Sequence, residues 1–401
     1  MYTEYIGNKT LGYFDRPDDG AYKQAMNCLG EAEAMVLMGD NHKGYGMPVG
    51  GVAIYRDKIC PAGVGFDIAC GNKAVKTNLT AFSFTRAVCK EAAREIRNTL
   101  SFGVGRKNKN PIDHPLFSNP LWDSLDIYAG GEIKDMAQAQ LGTIGSGNHY
   151  VDVFMGDDGY VWVGVHFGSR GLGHKTASYY MQKAGDNVNI QDETPHVLDV
   201  YSNLGGEYIA AMNLCGEYAY AGRDWVCSEV ARILGAQITD EVHNHHNFAW
   251  PETHFGENFW VVRKGATPAF PEQRGFVGST MLDNSVILKG VDSDESVNAF
   301  YSTVHGAGRV MSRTEAAGKS KWIKGKQIRI GKGKVDWSEV EQEAVSRGVI
   351  LCGGGADEAP QVYKRLPEVL GHHAPTIEIL TTLRPLIVCM AGSDEYDPFK
   401  D

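Results

Sequence analysis

A carboxylate and a thiol lie three residues apart in the glycine-rich segment 61–71, at Asp67 and Cys70. Glycines at positions 63, 65 and 71 allow close backbone approach or positive φ angles, which an ordinary core segment does not need. From one turn, the two side chains could converge on a single cation. Because aspartate and cysteine alone are an incomplete ligand set, we expect histidines from elsewhere in the chain to complete a metal site.

Three further segments offer histidines beside glycine-rich or strand-like sequence. His149 follows the glycines of the loop 141–150, whose backbone amides could line a phosphate site. His166 lies near the end of a predicted strand, opposite its valine face, and a second glycine-rich loop with Arg170 follows. The cluster 243–246 holds three histidines, either as an exposed polar turn or as the source of one ligand. Ligand softness alone would favour zinc.

His305 stands apart from these ligand candidates, between an extended run and the turn 306–309, which reads Gly-Ala-Gly-Arg. A histidine in this position is poised to meet a phosphate, because glycine lets the chain approach and Arg309 supplies a planar fork of donors. Arg313 follows one turn later. The segment therefore favours phosphate chemistry at the histidine.

Asp40 and His42 form an Asp-x-His pair ahead of the turn-rich run 43–51. In an extended chain both side chains project to the same side. Two interpretations stay equally open: a polar strand end, or a pair that supports the residues of the Asp67 and Cys70 loop from behind.

Hydrophobic periodicity and capping residues predict the elements that must position these side chains. One helix is expected over 85–100, capped by Thr85, with an apolar face formed by Val88, Ala92, Ile96 and Leu100. The other expected elements are a helix-like segment over 21–37, a helix over 207–234 ended by Gly235, a helix start at 357–360, and strands over 160–167, 259–263, 285–288, 349–352 and 386–389.

The length of 401 residues and a hydrophobic content of 43% permit one large domain or two ordinary ones. We find no internal repeat and no low-complexity linker, so one large domain is favoured. No apolar run approaches the roughly 18 residues of a membrane span, and the first residues lack a leader pattern. Eight singly spaced cysteines favour a reducing cytosol. The sequence therefore predicts a soluble, unexported, cytoplasmic protein that needs no membrane.

Basic residues are unevenly distributed in a chain that is acidic overall. With 39 basic and 49 acidic residues the formal charge is −10, which would repel nucleic acid from the molecule as a whole. The run 319–334 nevertheless contains seven lysines and arginines and no acid. It is either a solvated loop or a nucleic-acid contact, and both remain open. The shorter basic loop 106–111 is better explained as a solvated surface loop than as a phosphate-binding site.

Six motifs carry a resemblance to the RtcB-type RNA ligases, in which they occur in the same order. They read GFDIAC, GSGNHYVDVF, VHFGSRGLGH, HHN, RKGATPAFP and VHGAGRVMSR, and the likeness extends through DEAPQVYKRLPEV and LRPLIVCMAG. The resemblance implies a single large α+β domain over residues 1–401, with mixed, twisted β-sheets around a central metal and nucleotide pocket. It also implies two manganese ions in the active state and GTP as co-substrate.

Site residues follow from the resemblance, motif by motif. Asp67 and His149 would bind one manganese, His166 and His246 the other, and the Cys70 thiolate would bridge both. His305 would be the nucleophile that attacks the α-phosphorus of GTP. Nucleotide contacts are implied for Asn148, Asp152, Asn247, Gly278, Ser279, Thr280, Gly306, Ala307 and Gly308. Candidates to bind phosphate or RNA are Arg170, Arg309 and Arg313.

The implied reaction joins an RNA 3′-phosphate or 2′,3′-cyclic phosphate end to a 5′-hydroxyl end, through a histidine–GMP intermediate and an activated RNA 3′-pp-5′-G end. An activating partner such as archease is compatible with the resemblance. One alternative is an enzyme that caps RNA or DNA 3′-phosphates with GMP but seals poorly. A second is a non-catalytic protein that binds RNA ends, against which the presence of Asp67, Cys70 and His305 argues.

Departures from the family pattern surround the base pocket and indicate a divergent member. Ala391 stands where the family has a lysine that contacts guanine, and Asp152 replaces a glutamate that reads the same base. Val262 replaces a histidine, and residues 278–282 read GSTML instead of GSMGT. Weaker GTP selectivity is expected unless Lys364 or the acidic tail 393–401 compensates.

Overall fold

Helices and strands are both distributed along the whole chain in this computed structural model, which describes residues 1–129, 132–187, 194–323, 326–393 and 395. The first hundred residues form β1 (Tyr2–Ile6), β2 (Lys9–Tyr13), α1 (Asp19–Leu29), β3 (Ala34–His42), β4 (Val49–Tyr55), β5 (Lys58–Ile59), α2 (Pro61–Val64), β6 (Gly71–Thr80) and α3 (Arg86–Thr99). The middle of the chain forms α4 (Leu121–Ala129), α5 (Ile133–Gln140), β7 (Tyr150–Gly156), β8 (Tyr160–Phe167), α6 (Arg170–Ala184), β9 (Leu198–Asp199), α7 (Asn203–Ile233) and β10 (Ile238–His245).

The remaining elements begin with a hairpin and end with the longest strand. They are β11 (Asn247–His254), β12 (Glu257–Lys264), β13 (Ala266–Pro268), β14 (Arg274–Val277), β15 (Ser285–Gly290), α8 (Asp294–Asn298), β16 (Ser302–Val304), α9 (Arg313–Ala317), β17 (Ser320–Ile323), β18 (Lys326–Arg329), α10 (Trp337–Arg347), β19 (Ile350–Gly354), α11 (Leu366–His372) and β20 (Ile377–Gly392).

Two large sheets carry the architecture. The first has the strand order β1-β2-β3-β4-β12-β11, and the second has the order β10-β6-β8-β7-β20-β15-β14, with β19 on β20. Both are mixed, because β2 pairs parallel with β3 and β19 parallel with β20, whereas the other pairs are antiparallel. The expected α+β class is therefore confirmed. Strands of the two sheets interleave along the chain, and the assignment of one domain stays a prediction.

The long helix α7 links two hydrophobic cores. Met212 and Leu214 pack in the core that also contains α6 and the first sheet, whereas Val226 and Val230 pack in the core between α3 and the second sheet. Ser202 caps the start of α7 by accepting from the amide of Gly205 at 3.0 Å. The predicted helix 207–234 is thus confirmed.

The prediction of one helix-like segment over 21–37 was wrong in its second half. Helix α1 ends at Leu29, and residues 34–42 form β3, which lies between β2 and β4. The run from Ala34 to Met38 is apolar at every position, so its periodicity could not distinguish a buried strand from a buried helix. Asp40 and His42 consequently lie at the end of a central strand.

Helix α3 confirms the predicted helix and corrects its buried face. The hydroxyl of Thr85 accepts from the amide of Val88 at 3.4 Å, as the capping prediction expected. Val88 itself is 41% exposed, whereas Ile96 is fully buried. Ala92 and Leu100 are buried as predicted, and Cys89 and Ala93 widen the buried face, so Val88 is the one predicted residue that lies outside it.

The predicted strands are all confirmed, and the last one is longer than expected. The helix start at 357–360 was wrong: Ala356–Glu358 and Pro360–Val362 are short 3₁₀ turns. Pro360 has no amide hydrogen to donate to a preceding carbonyl, which interrupts a continuous helix at this point.

The basic run 319–334 contains the antiparallel strands β17 and β18, and residues 324 and 325 lie outside the described part. Its contact with RNA stays a prediction. Arg106 in the loop 106–111 is exposed and pairs with Glu395 at 2.7 Å, which fits the surface-loop interpretation. The rest of the predicted tail, residue 394 and residues 396–401, lies outside the described residues. No helix in the described ranges has both the length and the apolar character to cross a membrane.

The buried face of α3 leads to a prediction about the free energy of unfolding. Ile96→Ala should lower the free energy of unfolding by about 3 kcal/mol, because it removes buried methylenes and leaves a cavity. Val88→Ala, a matched truncation on the exposed side, should change it by less than about 0.5 kcal/mol. Urea denaturation of both variants measures the difference. Equal losses would contradict the orientation of the helix.

Candidate active site

A cavity of about 250 Å³ lies between the two sheets and collects most of the predicted site residues. Its lining includes His42, Asp67, Cys70, Asn148, His149, Asp152, His166, His246, Asn247, Gly278, Ser279, Thr280, His305, Gly306, Ala307, Gly308 and Arg309. These residues are up to 267 positions apart in sequence, so the fold alone brings them together.

The Asp67 and Cys70 loop has an unusual backbone that its neighbours hold in place. Ala69 adopts a positive φ of 60°, and the amide of Cys70 donates to the carbonyl of Asp67 at 3.0 Å. Gly71 then begins β6 against β10, where an added Cβ would lie 2.3 Å from the carbonyl oxygen of Asn244. A glycine is therefore required at the point where the loop enters the sheet.

Adjacent strands of the second sheet bring the donor side chains to one place. His246 follows β10, Cys70 precedes β6, His166 lies near the end of β8, and His149 precedes β7. These four strands are consecutive neighbours in the sheet order β10-β6-β8-β7. The donors therefore meet at one edge of the sheet.

Two clusters of donor atoms share the sulfur of Cys70. Cys70, His166 and His246 form one, and Asp67, Cys70 and His149 form the other, with the donor atoms of each within 4.8 Å of one another. The Sγ atom lies 3.3 Å from His166 Nε2 and 3.7 Å from His149 Nε2. His149 Nε2 lies 3.0 Å from Asp67 Oδ2.

Burial affects the protonation of these donors in different ways. It raises the pKa of the Cys70 thiol well above its ordinary value, with the Asp67 charge adding to the effect, and it lowers the pKa of His166 and His246. Burial opposes ionisation of Asp67, but the hydrogen bond and charge of His149 outweigh it and lower the pKa of that carboxyl. Imidazoles and a carboxylate around one thiol fit a divalent cation, which would displace the thiol proton.

His305 approaches the donor clusters from the other side of the cavity. Its ring centroid lies 4.7 Å from that of His246, and its Nδ1 atom lies 2.7 Å from Asp40 Oδ2, although the angle falls short of a hydrogen bond. The same oxygen accepts from the backbone amides of His305 and Gly306 at 3.1 and 3.3 Å. Burial of Asp40 opposes ionisation, but the attraction of His305 outweighs it and lowers the pKa of this carboxyl.

The sequence matches the family model described as tRNA-splicing ligase RtcB over residues 23–125 and 126–391. The chain belongs to the RtcB family. It is 30% identical to RNA-splicing ligase RtcB of Escherichia coli K12 and to RNA-splicing ligase RtcB1 of another Escherichia coli strain, covering 89% of this chain and 90% of each relative. It is 29% identical to tRNA-splicing ligase RtcB of Thermococcus kodakarensis, covering 92% of this chain and 90% of the relative.

One end of the cavity in this RtcB-family chain combines apolar walls with unsatisfied polar atoms. Among the described residues, Tyr150 Oη, Asp152 Oδ1 and Ser279 Oγ are buried without a hydrogen-bond partner. Burial raises the pKa of Asp152 well above its ordinary value, against an opposing hydrogen bond from the backbone of Cys389. Three such atoms at a cavity wall are groups that a bound polar molecule could satisfy.

Residues around Ala391, the position on β20 that departs from the family pattern, are distributed over both faces of the strand. Val388 and Met390 line the cavity, whereas Ala391 packs in the core beside α3 and borders a narrow neighbouring cleft with Ser146. Lys364, considered as a compensating group, donates to Asp15 and to the carbonyl of Gly39. Those contacts do not bring its amine to the cavity wall.

The three candidate arginines occupy different positions. Arg309 lines the cavity and donates to the carbonyl of Asp357 at 2.8 Å and to Tyr363 Oη at 3.1 Å. Arg313 lies behind it, against Glu358. Arg170 donates to Thr143 Oγ1 and to the carbonyl of Gly103. Asn247, expected at the nucleotide, also holds protein backbone: its side chain bonds the Asp67 carbonyl and the Gly265 amide.

Several polar residues at or beneath the cavity were missed by sequence reasoning. Glu358 and Tyr363 line the wall beside Arg309, within a motif that had been noted only for its likeness. Lys264 donates to the carbonyls of Tyr45 and Ala62, and burial lowers its pKa to about 8. Arg223 is fully buried on α7. An arginine on an otherwise apolar helix face was the signal available for it.

Cation binding at Cys70 should depend on pH. The raised pKa keeps the thiol protonated at neutral pH, so binding must release its proton, and affinity should rise with pH until the pKa of the folded protein is reached. Between pH 7.5 and 9, we expect the affinity for Mn²⁺ to rise about tenfold per pH unit, measured by isothermal titration calorimetry. Cys70→Ala is the control and should bind weakly without this slope. A flat profile in the unmodified protein would contradict thiolate ligation.

Proposed function

We propose that this chain is an RNA ligase that joins a 3′-phosphate or 2′,3′-cyclic phosphate end to a 5′-hydroxyl end, with GTP as co-substrate. The observation that carries the proposal is the pair of donor clusters that share Cys70 directly beside His305 in one cavity. The names of the curated relatives, RNA-splicing and tRNA-splicing ligases, support the same class of reaction.

His305 is proposed to carry the nucleotide. Asp40 attracts Nδ1 and the flanking amides fix the backbone, which leaves Nε2 to attack the α-phosphorus of GTP. A nitrogen–phosphorus bond forms, the bond to pyrophosphate breaks, and pyrophosphate leaves. Asp40 stabilises the positive charge that develops on the ring during attack.

Asp67, Cys70, His149, His166 and His246 are proposed to hold two divalent cations, with manganese favoured by the family resemblance. Bound cations would neutralise charge on phosphoryl oxygens and align the reacting groups. The chain itself contributes the buried donors and places Arg309 at the cavity wall to share phosphate charge.

An RNA 3′-phosphate is a poor electrophile, which explains why nucleotide transfer precedes sealing. Its oxygen attacks the phosphorus on His305, the nitrogen–phosphorus bond breaks, and an RNA 3′-pp-5′-G end forms. The 5′-hydroxyl of the second strand then attacks the RNA phosphorus and GMP leaves. A cyclic phosphate must first be hydrolysed to the 3′-phosphate by addition of water.

The cellular setting is part of the proposal. The eight cysteines are free thiols, which favours a reducing cytoplasm as the place of action. The basic run 319–334 is proposed to bind RNA backbone, because the rest of the chain has a net negative charge. An archease-like activator remains a proposed partner.

Labelling with α-³²P-GTP tests the covalent step. The unmodified protein should acquire an acid-labile, base-stable label, whereas His305→Ala should lose it entirely, because the attacking nitrogen is gone. His196→Ala, at an exposed histidine beside Asp186, is the matched control and should label normally. Label on the His305→Ala protein would overturn the assignment.

The same protein, given RNA with a 3′-phosphate and RNA with a 5′-hydroxyl, distinguishes ligation from the alternatives. Sealed product on a denaturing gel supports a ligase. A stable capped 3′ end without sealing would favour the capping enzyme, and RNA binding without label or product would favour a non-catalytic end-binding protein.

The end of the cavity that contains Asp152 is proposed to bind the nucleotide base. Its polar groups lead us to expect relaxed nucleotide selectivity. Burial raises the pKa of Asp152 and so disfavours the charged carboxylate that would accept from guanine. A charge-assisted hydrogen bond contributes about 1.5 to 3 kcal/mol, which is about 10- to 150-fold in affinity, so a weakened contact should lower the preference for GTP over ATP when the two compete to label His305. Asp152→Glu should increase the preference. GTP-exclusive labelling of the unmodified protein, with no gain in Asp152→Glu, would show that other groups read the base.

A further inference from the structure

Arg223 lies on α7 beneath the donor clusters, and its side chain is completely buried. Its guanidinium donates to two backbone carbonyls and two imidazoles: to Phe167 at 2.6 Å, Ala69 at 3.0 Å, and His243 Nε2 and His245 Nδ1 at 2.8 Å each. None of these hydrogen-bond partners is a carboxylate. Burial of a guanidinium carries a large desolvation cost, which four hydrogen bonds partly offset.

Three of the acceptors are direct chain neighbours of cation-ligand candidates. Ala69 precedes Cys70, Phe167 follows His166, and His245 precedes His246. Cys70, His166 and His246 are the three members of one donor cluster. One planar group with fixed N–H directions therefore ties together the three backbone segments that carry the cluster.

The second cluster is supported differently. Asn247 bonds the Asp67 carbonyl through its side chain, and its own carbonyl accepts from the amide of Ala69 at 2.7 Å. His149 lies after a separate glycine-rich loop, which the hydrogen bonds of Arg223 do not reach. Loss of Arg223 should therefore affect the two clusters unequally.

Arg263 provides a comparison at equal burial. Its guanidinium is also fully buried, but it pairs with both carboxylate oxygens of Glu252 and contacts Ser302 Oγ and the Phe300 carbonyl. That arginine has its own counter-ion within the first sheet. Arg223 instead directs its donors to the segments that hold Cys70, His166 and His246.

We propose that Arg223 is the positioning residue of the cation subsite formed by Cys70, His166 and His246. It holds the three backbone segments at the spacing that lets one cation contact all three side chains. The proposal rests on the two-cation part of the proposed function and adds a residue that touches neither cation nor substrate. Loss of a residue that orients ligands typically weakens metal binding by about 10- to 100-fold.

Titration with Co²⁺ alone tests the proposal, because thiolate-to-cobalt absorption reports ligation at Cys70 without any assay of activity. The variants are Arg223→Lys and Arg223→Gln, with Arg263→Gln as the matched buried control. His246→Ala and His149→Ala supply reference spectra for proteins that lack one subsite or the other. Circular dichroism of the metal-free proteins checks folding.

We expect two Co²⁺ per chain in the unmodified protein and in Arg263→Gln. Both Arg223 variants should bind one ion normally and the other about 10- to 100-fold more weakly. Their spectrum at one equivalent should match His246→Ala and differ from His149→Ala. Lysine should not rescue binding, since a single ammonium cannot reach all four acceptors.

Two Co²⁺ bound with unmodified affinity in the Arg223 variants would overturn the proposal, as would equal weakening of both sites. Variants that unfold without metal while Arg263→Gln folds would also overturn it, since Arg223 would then be a general core residue. An unmodified protein that binds a single Co²⁺ would instead contradict the two-cation part of the proposed function.

Discussion

The site is built around the buried sulfur of Cys70. Both donor clusters contain this atom, so neither can be assembled without it. Burial and the Asp67 charge hold the thiol in its protonated form, and a cation is the partner that can make the thiolate favourable at this depth. The surrounding donor side chains can therefore bind a cation only if the fold keeps them close to the sulfur of Cys70.

Sheet order provides that placement. Cys70, His166, His149 and His246 come from the ends of neighbouring strands in the second sheet, and β-sheet hydrogen bonds fix their separations. His305 follows β16, which pairs with β13 outside that sheet, and Asp40 at the end of β3 holds its backbone. The cavity thus lies where the two large sheets meet, and each contributes a different part of the proposed chemistry.

Local sequence predicted much of this arrangement, but not its assembly. Thr85 and the apolar spacing located α3, and the valine alternation located β8, because those signals are local. The choice of His246 from the cluster 243–246 came only from the family resemblance. In the fold, His243 and His245 bond Arg223 while His246 lines the cavity, and that division depends on strand pairing between β10 and β6. Arg223 was missed because a buried arginine among apolar helix positions acquires its role only from segments far away in sequence.

Anomalous diffraction from a crystal soaked in Mn²⁺ would test the central claim most directly. The account predicts two anomalous peaks, both bonded to the sulfur of Cys70, one also contacting Asp67 and His149 and the other His166 and His246. A single peak, or two peaks of which neither contacts that sulfur, would contradict it.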